Sequence, residues 1–130
     1  MITLAGDDRV GSRSADWSSD DPSVADVTEA LARLDGKRRT EISIVDDAPF
    51  RFLTISGGPD LFLVTGELED GGILHLKDPN GDEQEIGLVC GGQLGKFPRS
   101  HLVTAKEAVQ AAVDFLGGFV GGLGKYWTVE

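Results

Sequence analysis

The chain has 130 residues, 22 of them acidic and 12 basic, for a formal net charge of −10, and one cysteine. That length suits one domain over residues 1–130, and roughly two-thirds of the unfolded surface can be buried, enough for a core without disulfides or metal. The acidic excess excludes broad binding to nucleic acid or an anionic membrane, and a lone Cys90 excludes a disulfide framework or a multi-cysteine zinc site.

Taken in chain order, residues 1–21 are rich in Asp, Ser and Gly and read as an irregular or partly mobile segment, with Trp17 anchoring it to the body. They carry no basic run and no signal-length apolar stretch, so a soluble cytoplasmic chain is expected. A helix is predicted over about 22–35. Asp21 or Ser23 can cap it, with Asp26 three beyond Ser23, while Val24, Val27, Leu31 and Leu34 form its buried face and Gly36 its stop. The basic run Lys37-Arg38-Arg39 follows where the helix dipole favours cations.

Short β-rich runs follow at 41–46, 51–56 and 61–65, separated by Asp46-Asp47-Ala48-Pro49 and Ser56-Gly57-Gly58-Pro59. Residues 73–90 read as a hairpin around Asp78-Pro79-Asn80-Gly81. A three-residue loop with left-handed Gly81 pairs Leu74 with Ile86 and Leu76 with Gln84, which keeps the apolar residues on one face. A second helix is predicted over about 104–117. Thr104 and Glu107 form a capping box, Val103 staples to Ala108, and Ala108, Val109, Ala112, Val113 and Leu116 form the stripe. Residues 126–129 close the chain as a strand. The expected fold is α+β: an antiparallel sheet of about five to six strands packed on two helices.

Chemical motifs are weak. Gly91-Gly92-Gln93-Leu94-Gly95-Lys96 lacks the spacing of a phosphate loop, with Cys90 where a glycine belongs and Phe97 in place of the hydroxyl residue. Asp78-Pro79-Asn80-Gly81-Asp82-Glu83 has its glycine too early for a calcium loop. Cys90 with His75 or His101 is the one conceivable nucleophilic arrangement, and no activating motif surrounds it. No catalytic residue, metal site or cofactor is expected, and the sequence reads as a non-enzyme.

Charge is more informative. Asp60, Glu67, Glu69, Asp70, Asp78, Asp82, Glu83 and Glu85 stand against Lys77 alone, as an acidic patch around two adjacent loops suited to a basic partner.

The stretch 88–127 carries Gly91-Gly92, Phe97-Pro98, Leu102-Val103, Ala108, Phe115-Leu116 and Trp127 in order. It resembles the first-numbered immunity-protein family of bacterial polymorphic toxin systems. Where that family often has Gly-x-Arg-Pro before the tryptophan, this chain has Phe119-Val120-Gly121-Gly122. The resemblance implies a protein that protects its producer in interbacterial competition. It would bind a cognate toxin domain, often a deaminase or nuclease, and occlude its active site. The eight acids named above are then the candidate partner contacts, with Glu67, Glu69 and Asp70 favoured beside Gly71-Gly72. A non-immunity adaptor of the same fold, or a small enzyme using Cys90, His75 and His101, are the alternatives.

Overall fold

A computed structural model describes residues 1–130. The strands are β1 (Ile2–Gly6), β2 (Arg9–Val10), β3 (Arg13–Ser14), β4 (Trp17–Asp20), β5 (Glu41–Asp47), β6 (Phe50–Gly57), β7 (Leu61–Glu67), β8 (Ile73–Leu76), β9 (Glu85–Cys90), β10 (Gln93–Pro98), β11 (Val103–Thr104) and β12 (Trp127–Val129). The helices are α1 (Val24–Ala32) and α2 (Ala105–Leu116), with a 3₁₀ turn at Arg99–His101. The protein is α+β, as expected, but its antiparallel sheet is wider than expected. Seven strands run in the order β12-β8-β7-β6-β5-β1-β4, and β11 adds an eighth on β7. No helix is long and apolar enough to cross a membrane.

The first 21 residues correct the reading of an irregular segment. β1 lies inside the sheet, paired with β4 on one side and β5 on the other, and Leu4 is buried. Its five residues alternate too briefly to announce a strand. Pairing on both edges creates it. Trp17 packs against the core from β4.

α1 starts as its sequence requires. The Ser23 hydroxyl accepts the Asp26 N–H at 3.1 Å, and the Asp26 carboxylate accepts the Ser23 N–H at 2.9 Å. The helix ends at Ala32, short of the expected boundary, because Arg33 and Leu34 donate to carbonyls only three residues back. The Asp35 carboxylate then accepts the N–H groups of Lys37, Arg38 and Arg39 and turns the chain away. Arg38 and Arg39 consequently reach Asp8 and not the helix terminus. At α2, Thr104 donates its hydroxyl to Glu107 at 2.9 Å, so the expected capping box is replaced by a side-chain pair. The stripe of α2 is rotated from the expected one: Ala108, Ala111, Ala112 and Phe115 are buried, while Val109, Val113 and Leu116 are half-buried.

The 73–90 hairpin does not form. β8 enters the sheet between β7 and β12, pairing Leu76 with Val64 and Trp127, where Leu74 and Leu76 are buried. β9 turns instead into β10 through Gly91-Gly92, whose φ values of 59° and 81° suit a two-residue hairpin turn that only glycine occupies without strain. The Asp78-Pro79-Asn80-Gly81 turn lies along the 3₁₀ segment. The Asp78 N–H donates to Ser100, the Ser100 N–H to Asp82 and the Arg99 N–H to Gln84. Gly81 is not left-handed.

The core sits between the sheet and both helices. Arg51 is the polar group within it, only 8 % exposed. Its guanidinium pairs with Asp46 at 3.2 Å, donates to the Phe115 carbonyl at 2.8 Å and lies 4.2 Å over the Phe115 ring. It therefore gives the Phe115 carbonyl, which also accepts the Gly118 N–H at 3.0 Å, a second donor and ties the last turn of α2 to β6. From there Phe115, Phe119 and Trp127 meet edge-to-face, carrying the contact to β12. Arg51→Met is expected to lose about 3 kcal/mol in urea denaturation, by leaving the largely buried Asp46 without its cation and releasing the tie to the end of α2, and Arg51→Lys to recover only part of it.

Candidate functional site on the helix-free sheet face

Alternation along each strand sends every second side chain to one face. On the helix side the rows are closed: Leu4, Ile44, Leu53 and Leu74 form one, and Ile42, Ile55, Val64 and Leu76 the next, none more than 6 % exposed. The intervening residues face away from the helices. Ser18, Ala5, Ser43, Thr54, Thr65, His75 and Thr128 line up across all seven strands as a belt of mostly small hydroxyl side chains. Beside it runs a second row: Asp20, Thr3, Val45, Phe52, Glu67 and Ile73. These residues are half-buried or exposed, and Phe50 and Ile73 are more than half exposed.

The charged side chains that the sheet strands turn to this face have one sign. Asp20, Glu41, Asp47 and Glu67 point outward from the strands, and none of the twelve Lys and Arg residues does. Asp47 holds the N-terminal ammonium at 2.6 Å, Asp20 accepts the Thr3 hydroxyl and Glu41 the Ser56 hydroxyl. Glu67 lies between Phe52 and Ile73 without an ion pair.

One end of the face is walled by the β9–β10 ribbon. Gly57, at φ 103°, leaves the space that the Leu88 side chain fills: a Cβ there would stand 2.6 Å from it. The ribbon's turn is anchored by Asp7. This buried carboxylate accepts the N–H groups of Thr40 and Glu41 at 2.7 and 3.1 Å, the Thr40 hydroxyl, and Arg9 Nε at 2.7 Å. Thr40 Oγ1 in turn accepts the Gly92 N–H at 3.0 Å, and Arg9 donates to the Gly91 carbonyl at 2.9 Å. Burial pushes the Asp7 carboxyl up, but the hydrogen bonds from Thr40, Arg9 and Glu41 outweigh it and hold it below the ordinary 3.8.

The eight acids expected to form one patch are divided. Glu67 is on the open face, with Glu69 and Asp70 on the β7–β8 turn at the same end. Asp60 lies before β7, at the other end of that strand. Asp78, Asp82 and Glu83 lie in the connection beyond β8, and Glu85 opens β9. The two loops expected to be adjacent thus leave opposite ends of β8, because β8 joins the sheet and does not fold back on β9. Asp78 is internally engaged, paired with Arg99 at 3.4 Å while Arg99 donates to the Leu102 carbonyl. Glu83 accepts the Ser100 hydroxyl.

His75 and His101, distant in sequence, meet edge-to-face with centroids 5.1 Å apart, and His75 Nε2 lies 3.1 Å from the His101 carbonyl. Burial holds the His75 imidazole below its ordinary 6.5. Cys90 is half-buried beside Glu41 and Ser56, over β5 and β6. β8 is two strand spacings from β6, roughly 10 Å, so the thiol and the imidazoles do not converge. Burial, reinforced by the charge of Glu41, pushes the thiol up to about 11 despite a hydrogen bond with Ser56. That is the reverse of nucleophile activation.

The outward residues of β5 and β6 were not singled out from sequence. Their signal is the alternation of Glu41, Ser43 and Val45 with Ile42 and Ile44, which marks an outward face without saying whether anything covers it. No family model, curated protein or solved structure matches this chain.

Two outcomes follow from these environments. Because the Asp7 carboxyl stands lower folded than unfolded, its contribution is full above about pH 4 and is lost as pH falls through the folded value. Asp7→Asn should therefore destabilise at neutral pH by about 3 kcal/mol and flatten the acid limb of a stability–pH profile measured in urea. Cys90 should react with iodoacetamide at pH 8 more than about tenfold slower than a free thiol, with the rate measured by mass spectrometry.

Proposed function

We propose that this chain is an immunity protein that neutralises a cognate bacterial toxin domain, a deaminase or nuclease, by stoichiometric binding that occludes the toxin's active site. The observation that carries the reading is the one-sided sheet: helices close one face, and on the other the seven strands present carboxylates, hydroxyls and a few apolar side chains, with no Lys or Arg among them. Enzymes that act on nucleic acids need basic surfaces to hold phosphates, and an acidic face is complementary to such a surface. Inhibition of this kind asks for a rigid scaffold and about 800 Å² of matching surface and requires no catalytic group.

The resemblance over 88–127 supports the same reading. Its residues serve the scaffold: Leu102, Val103, Ala108 and Phe115 are fully buried, and Trp127 packs against the core. Phe97 and Pro98 end β10 just before the 3₁₀ turn. They would hold a binding surface in place and leave specificity to residues elsewhere.

The test is titration of the purified chain into the toxin domain encoded beside its own gene. Activity is expected to fall to zero at one equivalent, and full activity with excess chain would refute the reading. Replacing Glu67 and Glu69 with Gln and Asp70 with Asn together should weaken binding about tenfold or more, and should make affinity less dependent on salt. Calorimetry at two ionic strengths measures both effects.

A further inference from the structure

We infer that the partner seats on the helix-free face of the sheet itself, and that it presents lysine or arginine side chains flanked by apolar ones. This rests on the reading of the chain as a protein-binding inhibitor and identifies which of its surfaces binds. The loops beyond β8 are poorer candidates, since Asp78 is committed to Arg99 and Glu83 to Ser100. The α1 side is poorer too, because its charges already pair internally: Glu29 with Arg33, and Asp8 with Arg38 and Arg39.

Three properties of the open face favour a protein partner. Seven strands at about 4.8 Å spacing make it about 29 Å wide, and two outward rows with the Asp47–Phe50 pair beyond them make it about 14 Å deep along the strands, about half of one side of a standard interface. Its central belt of Ser43, Thr54 and Thr65 is short-chained, so little side-chain entropy is lost on docking and a partner backbone can approach closely. Glu67 lies between Phe52 and Ile73. A cation that reaches it there is drawn into a site from which docking expels water, and the pair strengthens as the local dielectric falls. Apolar anchors beside a charge are the usual composition of an interface centre.

The experiment uses the toxin domain encoded beside the gene and three variants of the full chain. Thr54→Arg adds a cation to the middle of the open face, and Gln110→Arg adds the same charge to the exposed surface of α2. Thr54→Arg is expected to lose about 100-fold or more in affinity and Gln110→Arg to stay within about twofold, both at unchanged circular dichroism. Thr65→Lys replaces Thr54→Arg where the latter does not fold. Hydroxyl-radical footprinting of the wild-type complex needs no variant, and Phe50, Phe52 and Ile73 are expected to lose labelling on binding. Equal affinity of the face and helix variants, or unchanged labelling of those three residues in a formed complex, overturns the surface assignment while leaving the inhibitor reading intact. Failure of the wild-type chain to bind the toxin domain overturns both.

Discussion

A single buried carboxylate joins parts of this chain that lie far apart in sequence. Asp7 follows β1, and its donors come from Arg9 and from Thr40 and Glu41 at the start of β5. Through Thr40 and Arg9 the network reaches Gly91 and Gly92 at the ribbon turn. A buried charge is tolerated only when its lone pairs are met, and here backbone and side-chain donors meet them together. The consequence is geometric. The first strand is held inside the sheet, the long connection after α1 is closed, and the ribbon is pinned over one end of the sheet face.

That ribbon makes the two faces of the sheet unequal. Against the helices, rows of Leu, Ile and Val are excluded from solvent. On the other side the ribbon covers Ser56 and Gly57, and the rows beyond it stay open. Antiparallel sheets commonly keep one wet face with polar outward residues. What distinguishes this one is that its outward charges are all carboxylates while Arg51 is turned inward to hold the end of α2. Keeping the only strand arginine of β5–β8 in the core leaves carboxylates as the only charged side chains those strands turn to the opposite face, which joins the stability of the fold to the electrostatics of its surface.

Local patterns announced much of the fold. Ser23 with Asp26, the alternation of Ile42 with Ile44, and the apolar spacing of α2 each describe a few neighbouring residues, and local chemistry is enough to express them. The stripe of α2 was misjudged by a fraction of a turn because valine and alanine positions compete for the same face, and Phe115 settles the rotation by filling the space beside Arg51. The 73–90 segment misled for a different reason. Two runs of compatible parity flank a good turn sequence, so a local hairpin satisfies every short-range rule, but it leaves Leu74 and Leu76 on a two-stranded ribbon. Insertion between β7 and β12 buries both completely or nearly so. That gain is invisible until the partner strands, one of them fifty residues away at Trp127, are in place.

The acidic character of the chain, its α+β class and the two amphipathic helices were determined by sequence alone, since composition and short periodicities encode them directly. Which acids share a surface was decided only by tertiary structure. Eight carboxylates that lie within 26 positions of one another were sent to opposite ends of β8 once that strand joined the sheet, and Asp20, Glu41 and Asp47 were brought onto the face that holds Glu67. Proximity along the chain constrains charges over a few residues, whereas strand order sets distances between elements, and strand order depends on which long-range pairing buries the most apolar surface.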